Sequence, residues 1–127
     1  MKYVVDTSKS VDQAAADLQE AVKKHKFGVL HIHNLQETMK NKGVDITNQC
    51  LIFEICNPHK AKEVLEVDME MNMALPCRVS VYSDGGKTKI GMIKPTVLLA
   101  FLSTSEALKT VAEEVEEKII QMIEDAR

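Results

Sequence analysis

Two cysteines occupy the positions in this sequence best suited to chemistry: Cys56, followed by Asn57-Pro58, and Cys77, preceded by Leu75-Pro76. Each lies where an apolar run meets a proline, at the expected border between a strand and a turn or helix. The backbone is held firmly at such a border, and a side chain can still reach solvent. Asn57 makes a good helix N-cap, and Pro58 suits the first helical position. A sulfur just ahead of that start would lie near free backbone N–H groups, which favour thiolate over thiol. The competing reading is a small buried hydrophobe, a common fate of free cysteine.

Alternation along three segments, residues 27–33, 50–56 and 77–83, collects the other candidates. Leu30, Ile32, Leu51, Phe53, Ile55, Val79 and Val81 read as one face of a sheet, covered by helices. His31, His33, Glu54, Cys56, Arg78, Ser80 and Tyr82 then share the other face. So many titratable and hydrogen-bonding groups on one surface point to a ligand pocket or a self-association surface. The plainer reading is a solvated face of an antiparallel sheet, where polar residues are expected. The candidate ligand-binding residues are therefore Cys56, Glu54, His31, His33, Arg78, Tyr82 and Cys77. No catalytic residue and no cofactor can be assigned.

Metal binding is a narrower option on the same face. His31-x-His33 on a strand puts both rings on one side, and Glu54, Cys56 and His59 could add ligands. No Cys-x-x-Cys or His-x-x-x-His spacing supports it. Met69-x-Met71-x-Met73 has the spacing of a soft copper(I) site, although methionine also serves as an adaptable filler of core gaps. Cys56 and Cys77 would make a redox or metal pair only if they met. In regular strands Cys77 goes with Val79 and Cys56 with Glu54, so the two face apart.

The elements that must position these groups follow from local pattern. Residues 2–6 read as a strand. Ser10 and Gln13 fit a capping box ahead of Val11, Ala14, Ala15, Leu18, Val22 and His25, one face of an amphipathic helix ending near Lys26 with Gly28 as its stop. A strand over 27–33 and a short helix over 35–42, ended by Gly43, come next. Cys50 to Cys56 is the clearest strand. A helix follows Asn57, and 68–76 reads as a methionine-rich connector. Asp84-Gly85-Gly86 marks a hairpin between strands 77–83 and 87–93, because glycine tolerates the positive φ of such turns. Pro95 starts a short helix, apolar on nearly all sides, which must be covered on several of them. A second subunit is expected to supply part of that cover. Ser103 and Glu106 read as a second capping box, and Leu108, Val111, Ala112, Val115, Ile119, Met122 and Ile123 trace a long closing helix. The expected architecture is α+β, a mainly antiparallel sheet with helices on one face.

Composition narrows the function classes. With 127 residues the chain suits one domain. The formal net charge is −3, and lysines are interleaved with acidic residues in no basic block, so nucleic acid is not expected as a partner. No run approaches the roughly 18 apolar residues of a membrane helix. The charged N-terminus does not resemble a signal peptide. With an odd cysteine count, these features lead to an expectation of cytoplasmic residence without a disulfide framework. No glycine-rich phosphate loop, serine-hydrolase elbow or paired carboxylate is present.

In chain order, Tyr3-Val4-Val5-Asp6-Thr7, Phe27-Gly28-Val29-Leu30, Ile55-Cys56-Asn57-Pro58, Leu75-Pro76-Cys77-Arg78-Val79 and Val81-Tyr82-x-Asp84-Gly85-Gly86 resemble the domain of unknown function family 302 over nearly the whole chain. The resemblance implies a TATA-binding-protein-like fold with a β-α-β4-α core, prokaryotic origin and frequent dimerisation, and no established reaction. Cys56 and Cys77 match the family pattern; Cys50 does not. Relatives carry other apolar residues where this chain has Met69, Met71 and Met73, which weighs against methionine ligation. The leading expectation is a dimeric binding protein for a small ligand or metal, using the polar face near Cys56. The alternatives are a thiol-dependent enzyme or redox accessory protein using Cys56 with Cys77, and an assembly module without a small ligand.

Overall fold

Local chemistry accounts for most of the elements of the computed structural model, which describes residues 1–127. Helix α1, Val11–Lys24, begins where the Ser10 side chain accepts a hydrogen bond from the Gln13 backbone N–H. The reciprocal half of the expected capping box is missing, because the Gln13 amide donates to Asp17 instead. The helix stops at Lys24, earlier than expected. Lys26 takes the left-handed conformation at φ 67°. Lys26 N–H then bonds Lys23 O, and Phe27 N–H bonds Val22 O. This is a Schellman closure with lysine where glycine is usual, and Gly28 simply opens the next strand.

Five strands form one sheet in the order β1-β5-β4-β3-β2, each antiparallel to its neighbours. They are β1 Lys2–Thr7, β2 Gly28–Asn34, β3 Cys50–Cys56, β4 Cys77–Asp84 and β5 Lys87–Ile93. The β4–β5 hairpin turns on Gly85 and Gly86, both at positive φ, where a β-carbon would be strained. Helix α2, Leu35–Asn41, lies beside β2 and β3 and buries no residue.

The long helix α5, Glu106–Ala126, packs against α1 over one face of the sheet. Its buried residues Leu108, Ala112, Val115, Ile119, Met122, Ile123 and Ala126 recur at three and four, as the apolar period requires. Ser105 caps it rather than Ser103, whose hydroxyl accepts from Ser105 N–H. Beneath the two helices lie Val5, Phe53, Ile55, Val79, Val81, Ile90 and Met92 from four strands. Polar contacts pin the helical layer in place. Lys9 Nζ donates to Asp17 Oδ2 at 2.7 Å and to Ala126 O at 2.9 Å, and Tyr3 Oη donates to Glu124 Oε2 at 2.6 Å.

A second, smaller core sits at one end of the sheet. There helix α3, Pro58–Val67, the 3-10 helix Met69–Ala74 and helix α4, Pro95–Leu102, meet the start of α5 around Val64, Met71, Leu99, Leu108 and Ala112. The connector expected over 68–76 is thus a short helix. It buries Met71 and leaves Met69 and Met73 turned to solvent, so the three sulfurs do not converge. No helix is long and apolar enough to cross a membrane.

One strand departs from simple alternation. Val29 pairs with Ile55 and His31 with Glu54, so Leu30 is the extra residue of a β-bulge. The bulge turns Val29 inward with Ile32 and leaves Leu30 62% exposed, opposite to the expected assignment of Leu30 to the covered face. The same shift keeps His31 and His33 on the outer face.

Candidate ligand-binding site

The register sets the outer face in rows, because residues opposite one another in antiparallel strands project to the same side. One row reads Val4, Gly91, Ser80, Ile52 and His33 across β1, β5, β4, β3 and β2. The row on one side holds Asp6, Lys89, Tyr82 and Cys50. The row on the other side holds Lys2 and Ile93, then Arg78, Glu54 and His31. Five of the seven candidate residues, His31, His33, Glu54, Arg78 and Tyr82, therefore share this face.

Glu54 is the electrostatic centre of the β2 side. Its carboxylate bonds His33 Nε2, and the His31 and His33 rings meet edge to face with centroids 4.4 Å apart. The bond from His33 holds the Glu54 carboxyl below its ordinary range; the charges of His33, Arg78 and His31 act in the same direction, against partial burial. No three His, Cys, Asp or Glu side chains converge as a metal-ligand group.

The Cys56 and Cys77 thiols lie at the end of β3 and the start of β4, and Cys77 lines both a small apolar cavity and the larger cleft between β4 and β5. Cys77 turns to the covered side and packs against the main core. Burial pushes its thiol up to about 11, and the nearby Cys56 adds to the rise. Cys56 ends β3 opposite Gly28 and lines a small apolar cavity with Phe27, Val64, Leu75 and Cys77. Burial raises its pKa too. The helix start does not reverse this. The first two N–H donors of α3 are already taken, since Asn57 Oδ1 accepts from His59 N–H at 3.0 Å and Lys60 N–H at 3.2 Å. Of the two readings of Cys56, the raised pKa agrees with the partly buried hydrophobe and not with the thiolate.

One concavity was not legible in the sequence. The β4–β5 ladder runs from Asp84↔Lys87 to Ser80↔Gly91 and ends there. Beyond it the start of β4 and the end of β5 part, and Leu75-Pro76 and α4 flank the gap. A cleft of about 340 Å³ opens between them on the outer face and reaches Met92 and Ile119 of the covered side. Arg78, Ser80 and Tyr82 line it from β4, and Lys2, Val4, Gly91 and Ile93 from β1 and β5. Gly91 has a steric reason to be glycine. A β-carbon there would stand 2.9 Å from Val4 Cγ2 and 3.2 Å from Tyr3 O. Sequence reading missed Lys2, Val4, Gly91, Ile93 and Leu98. Alternation does put the first four on one side of their strands, but only the pairing of β1 with β5 brings them beside Arg78 and Ser80.

A family model described as "Domain of unknown function DUF302" matches residues 3–126. The chain belongs to this family. The crystal structure of the uncharacterized conserved protein DUF302 from Bacillus stearothermophilus superposes with a TM-score of 0.94 at 35% identity, covering 99% of this chain and 98% of that one. No match to a curated protein was found. DUF302 membership fixes the α+β architecture around the cleft and brings no assigned chemistry with it.

Proposed function

We propose that this DUF302 protein binds a small organic molecule in the cleft where β4 and β5 part. One observation carries the reading: a concavity of about 340 Å³, within the usual range for ligand sites, lined largely by apolar side chains with a few polar groups on its rim. The site is displaced from Cys56 toward Arg78, Ser80 and Tyr82. An organic ligand is favoured over a metal because no ligand set converges, and over thiol chemistry because burial raises the pKa of both Cys56 and Cys77.

Self-association through α4 is the second part of this reading. That helix buries only Pro95 and Leu99, while Phe101 is 77% exposed and Leu98 and Leu102 stand open beside it. Exposed apolar groups gathered on one element mark an interaction surface. A TATA-binding-protein-like arrangement agrees with this use, since helices on one side leave the other face of the sheet free for partners. Cytoplasmic residence agrees with three free cysteines.

A fragment screen followed by amide chemical shifts tests the binding reading. Hits should perturb Val4, Ser80, Ile93 and Leu98 together and vanish in Ser80→Phe, which fills the cleft. Hits confined to other surfaces, or unaffected by Ser80→Phe in a variant of unchanged melting temperature, would refute it. Light scattering of Phe101→Glu tests self-association: a dimer in the parent chain should become a monomer.

A further inference from the structure

The cleft has a charge asymmetry that narrows its ligand, granted that it binds a small molecule at all. Its lining includes two cations, Lys2 and Arg78, and no carboxylate. Neither cation takes part in any ion pair within 4.0 Å, nor does either side chain donate a hydrogen bond within the chain. The contrast with the other end of the same face is direct. There Lys89 pairs with Asp6 at 3.2 Å, and Lys87 approaches the same carboxylate at 3.9 Å. Glu54, opposite Arg78 in the register, feels the Arg78 charge but makes no ion pair with it, and its carboxylate bonds His33 instead.

The two cations stand on either side of the parting. Arg78 lies on β4, and Lys2 lies beside Ile93 on β1. The rest of the lining is mainly apolar and includes Leu75, Pro95, Leu98, Leu99, Met92 and Ile119. A guanidinium offers a forked pair of donors to a carboxylate or phosphate, and an ammonium adds a second charge. We propose that the cleft accepts an amphipathic organic anion, with its single anionic head between Lys2 and Arg78 and its apolar body beneath α4.

Four probes with one tail separate the contributions: octanoate, octyl phosphate, octanol and octylammonium, each titrated into the intact chain and followed by amide shifts and calorimetry. The anions should bind at least about tenfold more tightly than octanol, as a charge-assisted contact requires, and octylammonium should bind most weakly. Arg78→Gln and Lys2→Gln should each reduce anion affinity and leave octanol unchanged. Both positions are exposed, so folding should survive. Ser80→Phe should abolish binding of all four. Equal binding of all four probes at the cleft, or a preference for octylammonium, would overturn the anionic assignment and leave the binding reading standing. Absence of every probe from the cleft would overturn both. Sedimentation with phosphatidylglycerol vesicles, without binding of monomeric octanoate, would assign the two cations to a membrane surface and overturn the proposal.

Discussion

The two faces of this sheet are built from the same strands to opposite ends. On the covered face Phe53, Ile55, Val79, Val81 and Ile90 are at most 1% exposed and share one core with residues of α1 and α5. On the outer face Val4, Ile52 and Ile93 remain at least partly open among Lys2, Arg78, Glu54 and two histidines. The first face is close-packed, and its cost of disruption is set by volume. The second tolerates a gap in the ladder, since no layer of side chains has to fill it. What the contrast teaches is where a fold can accommodate a site: at the end of the sheet where two strands are free to diverge and a helix supplies a wall.

Breaking the covered face should produce the largest effect. Phe53→Ala removes a fully buried ring and is expected to cost about 3–5 kcal/mol in denaturant unfolding. Ile52→Ala, one residue away on the outer face, should cost clearly less. Comparable costs would mean that the outer face is packed as tightly as the core.

Gly91 sharpens the comparison at the edge of the cleft. Gly91→Ala forces a β-carbon into Val4 Cγ2 and Tyr3 O, and overpacking of this kind costs about 1–3 kcal/mol. Gly28→Ala is the control, because its β-carbon would meet only Cys56 O at 3.9 Å. Chemical denaturation should separate the two variants, and equal stability would show that β1 yields freely.

Removing the cap that occupies the donors near Cys56 is a smaller intervention. Asn57→Ala should cost about 1 kcal/mol. It should also raise the alkylation rate of Cys56 at neutral pH, since the freed N–H groups can then face the sulfur. Cys77, with its thiol near 11, should stay slow in both chains. A Cys56 that reacts equally fast before and after the change would dissociate its reactivity from the cap.

The smallest effect is one of pH. The Glu54 carboxyl titrates below its ordinary range, so its charged form adds stability above that range. This contribution is lost as pH falls through the lowered pKa. The stability difference between the parent and Glu54→Gln should therefore shrink between about pH 5 and about pH 3, around and below the ordinary carboxylate value. A constant difference would show that His33 does not hold the carboxylate in solution.

Much of this was readable in advance where the signal is local. Cys50–Cys56, the Asn57 cap with Pro58, and the double-glycine hairpin are written in neighbouring residues, and so is the three-and-four stripe of α5. Alternation also sorted His33, Glu54 and Arg78 onto one face, and it kept Cys77 away from them. It failed at Leu30, where a bulge adds a residue to β2 against β3 and reverses the faces of Val29 and Leu30. It said nothing of the surroundings of Cys56, which depend on α3 and the smaller core.

The amino-acid order alone therefore determined most of the elements, most of the covered stripe and the family pattern, since periodicity and capping act over a few residues. Only the tertiary structure decided that Lys2, Gly91, Ile93 and Leu98 meet Arg78 and Ser80. Those groups are separated widely along the chain. Their meeting depends on β1 adding to the free edge of β5 and on β4 and β5 parting beyond Ser80 and Gly91, and no local preference encodes either event.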